Sequence, residues 1–81
     1  MRPIKRSLTI AGHRTSISLE PDFWDGLREV AAAEGLTVAA LVARVDAERA
    51  AAGNSDEGGL SGSLRLRVLR YYQSMRRLPK I

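Results

Sequence analysis

Between His13 and Leu19 the chain alternates: Arg14, Ser16 and Ser18 fall on one side of an extended strand, Thr15, Ile17 and Leu19 on the other. The first set could do recognition chemistry. A guanidinium is a planar fork of donors that engages two acceptors together, and a serine hydroxyl both donates and accepts. Groups of that kind can read the edges of nucleic-acid bases. Catalysis is a poorer match. A serine nucleophile needs a base within hydrogen-bond reach, and the one histidine, His13, falls in an expected turn. With no cysteine and no second histidine, no ligand set for a metal is expected. The residues therefore point to no enzyme activity and to no cofactor.

The apolar side of this strand needs a core, and the elements that would supply one can be read around it. Pro21 stops the strand and suits the first position of a helix, where its fixed φ and missing N–H are harmless. Upstream, residues 5–10 also alternate, with Leu8 and Ile10 against Ser7 and Thr9. A type II′ loop at Gly12-His13 would make strands of 5–10 and 14–19, pairing Leu8 with Ile17, Ile10 with Thr15 and Thr9 with Ser16. One long strand kinked at Gly12 is the alternative.

Three helices are expected after the strand. The first spans 21–34, with Phe23, Leu27 and Val30 in one stripe, Trp24 and Ala31 beside it, and Gly35 at its end. Phe23 and Trp24 therefore read as core rings, not as platforms for stacked bases. Gly26 inside this helix costs up to about 1 kcal/mol relative to alanine, which suits a close approach by another backbone. The second helix covers 37–52, with Thr37 as N-cap and Val38, Leu41, Val42 and Val45 inward. Turn residues make 53–60 a linker. The third helix, 61–76, carries Leu60, Leu64, Val68, Tyr71 and Met75 on one side, with Leu66 and Leu69 pointing away. A helix apolar on two sides has two packing partners. Residues 1–81 read as a single domain, mainly α with a short N-terminal β element.

Charge is segregated along the chain. Residues 1–19 carry +4, residues 20–59 carry −6 and residues 60–81 carry +6, for a net +4. Two basic ends around an acidic middle suit a polyanion touched by the ends, or else ordinary solvated faces. No apolar run approaches the roughly 20 residues that span a membrane, and the first residues lack a signal-peptide core. The expected setting is the cytoplasm, on the nucleoid, with no membrane partner.

Arg14-Thr-Ser-Ile-Ser-Leu19, Pro21-Asp-Phe-Trp24 and Gly35-Leu-Thr-Val38, taken in order, resemble the ribbon-helix-helix (Arc/MetJ-like) DNA-binding family. With Ser7-Leu-Thr-Ile-Ala-Gly12 before them and Ser61-Gly-Ser-Leu-Arg-Leu-Arg-Val-Leu-Arg-Tyr-Tyr72 after, the chain is similar to the bacterial subgroup with an extra C-terminal helix. The resemblance implies an intertwined homodimer whose strands pair antiparallel and enter the major groove of double-stranded DNA. It makes Arg14, Ser16 and Ser18 base readers, and it makes Lys5, Arg6, His13, Thr37 and Val38 phosphate contacts. The shared core would comprise Thr15, Ile17, Leu19, Phe23, Trp24, Leu27, Val30, Val38, Leu41, Val42, Val45, Leu64, Val68 and Tyr71. Segment 5–10 lies outside the minimal family pattern. As a hairpin strand it would make the dimer sheet four strands wide, too broad to enter the groove in the usual way. The arginines of the third helix either bind DNA or keep an exposed helix soluble, and that helix is also open to a protein partner.

Three functions follow from the resemblance. The first is a homodimeric transcriptional regulator, a repressor. The second is an antitoxin whose C-terminal part binds a toxin, although residues 60–76 look able to fold unaided. The third is a dimerisation module without DNA binding.

Overall fold

The structure is a computed structural model and describes residues 2–53 and 59–75. Most of the expected linker, together with Arg76, Arg77, Pro79 and Lys80, lies outside the described residues. The elements run β1 (Ile4–Ile10), β2 (His13–Leu19), α1 (Pro21–Glu34), α2 (Val38–Ala52) and α3 (Gly59–Met75). The two strands form one antiparallel hairpin. Its inner face rests on the helices, β1 over α2 and β2 over α3.

The hairpin turns one residue earlier than the pattern suggests. Its loop is Ala11-Gly12, both with positive φ (52° and 82°), as a type I′ turn requires. The register is Ile4↔Leu19, Arg6↔Ile17, Leu8↔Thr15 and Ile10↔His13 on the inner face. Relative to the expected pairing this is a slip of two residues, so every side chain keeps its face. The reason lies at the far end of the ribbon. The expected register would set Ile4 and Lys5 against Pro21 and Glu20, beyond the strand, whereas the observed one pairs them with Leu19 and Ser18. The Ile4 carbonyl then accepts from the Trp24 indole N–H at 2.9 Å. Against these gains stands a left-handed alanine, which costs about 1–2 kcal/mol. Ala11→Asn, which tolerates that conformation, is expected to raise the stability by about 0.5–1 kcal/mol in urea unfolding. An unchanged or lowered midpoint would show that Ala11 is not strained.

The core closes within the chain. Ile17, Leu19, Trp24, Leu27, Val30, Leu41, Val42, Val45, Leu64 and Val68 are all buried, together with Ile10 and Ala31. Thr15, Phe23, Val38 and Tyr71, expected inside, are half-buried at its margin. Met75, expected on the inner stripe of the third helix, is 62% exposed. Leu66 and Leu69 point outward, at 43% and 48% exposure. α3 starts at Gly59, two residues before the expected 61.

Gly26 accounts for how closely α3 lies on α1. A Cβ placed there would come 2.5 Å from Val68 Cγ1, with the Tyr72 ring next to it. The neighbour is therefore a pair of α3 side chains, where another backbone was expected. A hydrogen bond to the Glu29 carboxylate pushes the Tyr72 hydroxyl up to about 12.

Ion pairs lock the helices together. Arg65 on α3 grips Glu20 with both ends of its fork, Nε to Oε1 at 2.9 Å and Nη2 to Oε2 at 3.1 Å. Its guanidinium also lies over the Phe23 ring. Arg67 reaches Glu34 on α1 at 3.1 Å and Glu48 on α2 at 3.2 Å. These two basic residues of the chain's C-terminal third are thus answered by its acidic middle. The hydrogen bond from Arg65 holds the Glu20 carboxyl below its ordinary value of 4.5. A depressed carboxylate stabilises the fold above its unfolded pKa, and that contribution disappears as pH falls through the folded one. Thermal unfolding followed from pH 6 to pH 3 is expected to show a smaller acid-induced drop in Tm for Glu20→Gln than for the parent chain. Equal drops would remove Glu20 from the acid response.

Candidate nucleic-acid interface

The outer face of the hairpin gathers three cross-strand rows, Lys5↔Ser18, Ser7↔Ser16 and Thr9↔Arg14. All six side chains are exposed. The helices cover the opposite face, so this one is open along its whole length. It holds four hydroxyls, one ammonium and one guanidinium, with no acid and no apolar side chain. The two cations stand at opposite ends, Lys5 near the start of α1 and Arg14 beside the turn. Among the described residues none of the six side chains makes a hydrogen bond or ion pair. The short central hydroxyls let a partner come close to the ribbon, while the long terminal cations reach outward.

Arg14, Ser16, Ser18 and Lys5 are thus brought together. Arg6 and His13 are not, because both fall on the inner-face parity of the hairpin. Arg6 pairs with Ile17 and lies 5.4 Å over the Trp24 ring, a cation–π arrangement that ties it to the core margin. His13 is exposed at the hairpin tip, opposite Ile10. Thr37 and Val38 open α2, where the Thr37 hydroxyl accepts from the Ala40 N–H at 3.1 Å. That cap occupies one acceptor position and leaves the hydroxyl hydrogen and the first backbone N–H groups for another partner. Ser7 and Thr9 were legible as polar residues of the first strand, but their place beside Arg14 depends on the hairpin.

On α3, Arg65 and Arg67 are engaged in the ion pairs above, whereas Arg70 has none among the described residues. Those residues contain no cluster of metal-binding side chains. No helix among them is long and apolar enough to cross a membrane.

A narrow, cationic, hydroxyl-lined ribbon on a helical base has the shape and chemistry of a major-groove reader. The chain belongs to the ribbon-helix-helix domain family, whose model matches residues 3–72. Members of this family are generally DNA-binding transcription regulators or antitoxins, and they typically bind DNA as dimers. In fold and sequence the chain is similar to an uncharacterized protein from Bordetella pertussis Tohama I, with 36% identity and a TM-score of 0.74. The match covers 95% of this chain and 62% of that one. Among curated proteins there is no match.

Proposed function

We propose that this protein is a homodimeric, sequence-specific DNA-binding transcriptional regulator, acting as a repressor, that lays an antiparallel β-ribbon in the major groove. The observation that carries this reading is the open outer face of the hairpin, with its cations and hydroxyls free of partners among the described residues. Arg14 makes the specific contact, a bidentate pair with the O6 and N7 of a guanine. Ser16 and Ser18 add less selective base contacts. Lys5 and the α2 N-terminus at Thr37 and Val38 hold phosphates, which position the ribbon without reading sequence. Arg6 and His13, at the margin and tip of the hairpin, act on the backbone only from its flanks. The protein works in the cytoplasm, on the nucleoid.

The test is a footprint of the purified protein on its own upstream DNA at two salt concentrations. A discrete protected site is expected, bound at least about 10³-fold more tightly than random duplex and weakening steeply with salt. Uniform affinity for all duplexes, or no protection at either salt, would refute the reading. A second reading, the antitoxin, is favoured by one feature: the folded α3 presents Leu66 and Leu69 to solvent. A stoichiometric small protein co-purifying with the chain, and lost in Leu66→Asp, would support it.

A further inference from the structure

We infer that the cleft between α2 and α3 binds a small organic dianion, whose charged end is a phosphate monoester or a pair of carboxylates. No residue of the hairpin lines this cleft, so the site is separate from the face proposed to meet DNA.

Helical spacing builds it. On α2, Val45, Glu48, Arg49 and Ala52 recur at the intervals that share one face of a helix, and on α3 Ser63, Leu66, Arg67 and Arg70 do the same. The two stripes border a common cavity of about 240 Å³. Ala52 and Ser63 are small, and Leu66 is turned toward solvent at 43% exposure, so the stripes do not fill the space between them. Sites for drug-sized molecules run to roughly 300–1,000 Å³, so the occupant here is smaller than those.

Charge selects its sign. Three guanidiniums, of Arg49, Arg67 and Arg70, line the cavity against one carboxylate, Glu48. Arg49 reaches Asp46 at 3.1 Å and Arg67 reaches Glu34 at 3.1 Å, but neither of those acids lines the cavity. Within it stands only the 3.2 Å pair of Arg67 with Glu48. The lining is therefore cationic, in a recess where water and salt screen charge less than on an open surface. Among the described residues Arg70 makes no ion pair and the Ser63 hydroxyl makes no hydrogen bond.

The shape of these groups narrows the class. A guanidinium fork matches the paired oxygens of a phosphate or a carboxylate. The carbonyl end of α2 at Ala52 repels an anion, so the charged group is drawn to the side of Arg67 and Arg70. Val45, Ala52 and Leu66 then offer an apolar wall to the rest of the molecule. A bare inorganic ion would leave that wall uncovered.

The experiment is an amide-shift titration of the full chain with phenyl phosphate, succinate and inorganic phosphate, at ionic strength held constant with sodium chloride. Saturating shifts confined to the two lining stripes are expected, with a Kd at or below about 1 mM for at least one of the organic dianions. Whichever of the two binds more tightly identifies the charged end. Arg70 is exposed, so Arg70→Gln should leave the urea midpoint unchanged while weakening the dianion about tenfold or more. Glu48→Gln removes the repelling carboxylate while Glu34 still holds Arg67, and is expected to tighten binding about two- to fivefold. Shifts that never saturate, equal affinities of parent and Arg70→Gln, or no gain for Glu48→Gln would overturn the inference. A fall of about one unit in the duplex salt slope for Arg70→Gln would assign that arginine to DNA phosphates and overturn it equally. A parent chain that binds the dianion but no duplex would refute the proposed function alone.

Discussion

Leu19→Asp is expected to leave the chain unfolded at room temperature. Leu19 is completely buried, in the row with Ile4, at the point where the ribbon meets the helices. No cation stands in that row to receive a carboxylate. Losing a buried leucine from a core costs about 2–5 kcal/mol, and burying an unpaired charge adds several more. A chain of this length has about 4–12 kcal/mol in total. The sum meets or exceeds the whole stability, so circular dichroism should show little helix and no cooperative melt. A cooperative transition within a few degrees of the parent's would mean that Leu19 is not a core residue. Leu19→Met keeps the volume and should cost under about 1.5 kcal/mol, which separates the charge effect from mere change at the site.

The second large effect falls on binding and leaves the fold intact. Arg14→Ala should weaken the cognate duplex by about 1–3 kcal/mol, roughly five- to 150-fold, and relax the base preference at one position. Arg14 is exposed and its side chain makes no hydrogen bond or ion pair among the described residues, so its removal takes nothing from the core. Lys5→Ala provides the contrast. It should weaken all duplexes about equally and lower the salt slope by about one unit per chain. Titrations on cognate and random duplex at several salt concentrations read both effects. Equal losses on the two duplexes for Arg14→Ala would reassign that residue to the phosphates.

Several of these features could be read from the order of residues, and others only from the folded chain. The two faces of the ribbon follow from period-two alternation, which a slip of two residues cannot disturb. The start of α1 at Pro21, its end before Gly35 and the Thr37 cap are local chemistry of neighbouring residues, and the structure has all three. Phe23 and Trp24 were harder, because adjacent residues on a helix face directions about 100° apart and both lay near the apolar stripe. Burial of the indole, with its N–H on the Ile4 carbonyl, was settled by a strand end twenty residues away.

The sequence by itself determined which side chains share a face of the ribbon, where the first two helices begin and end, and the family to which the chain belongs. These depend on residues within a few positions of one another. Tertiary structure decided the loop and register of the hairpin, because the pairing of Ile4 and Lys5 outweighed the local cost of a left-handed Ala11. It decided as well that Arg65 and Arg67 clamp helices while Lys5 and Arg14 stay open. A charge acts on whatever lies within a few ångströms of it, and Glu20, Glu34 and Glu48 come that near only once the chain has folded.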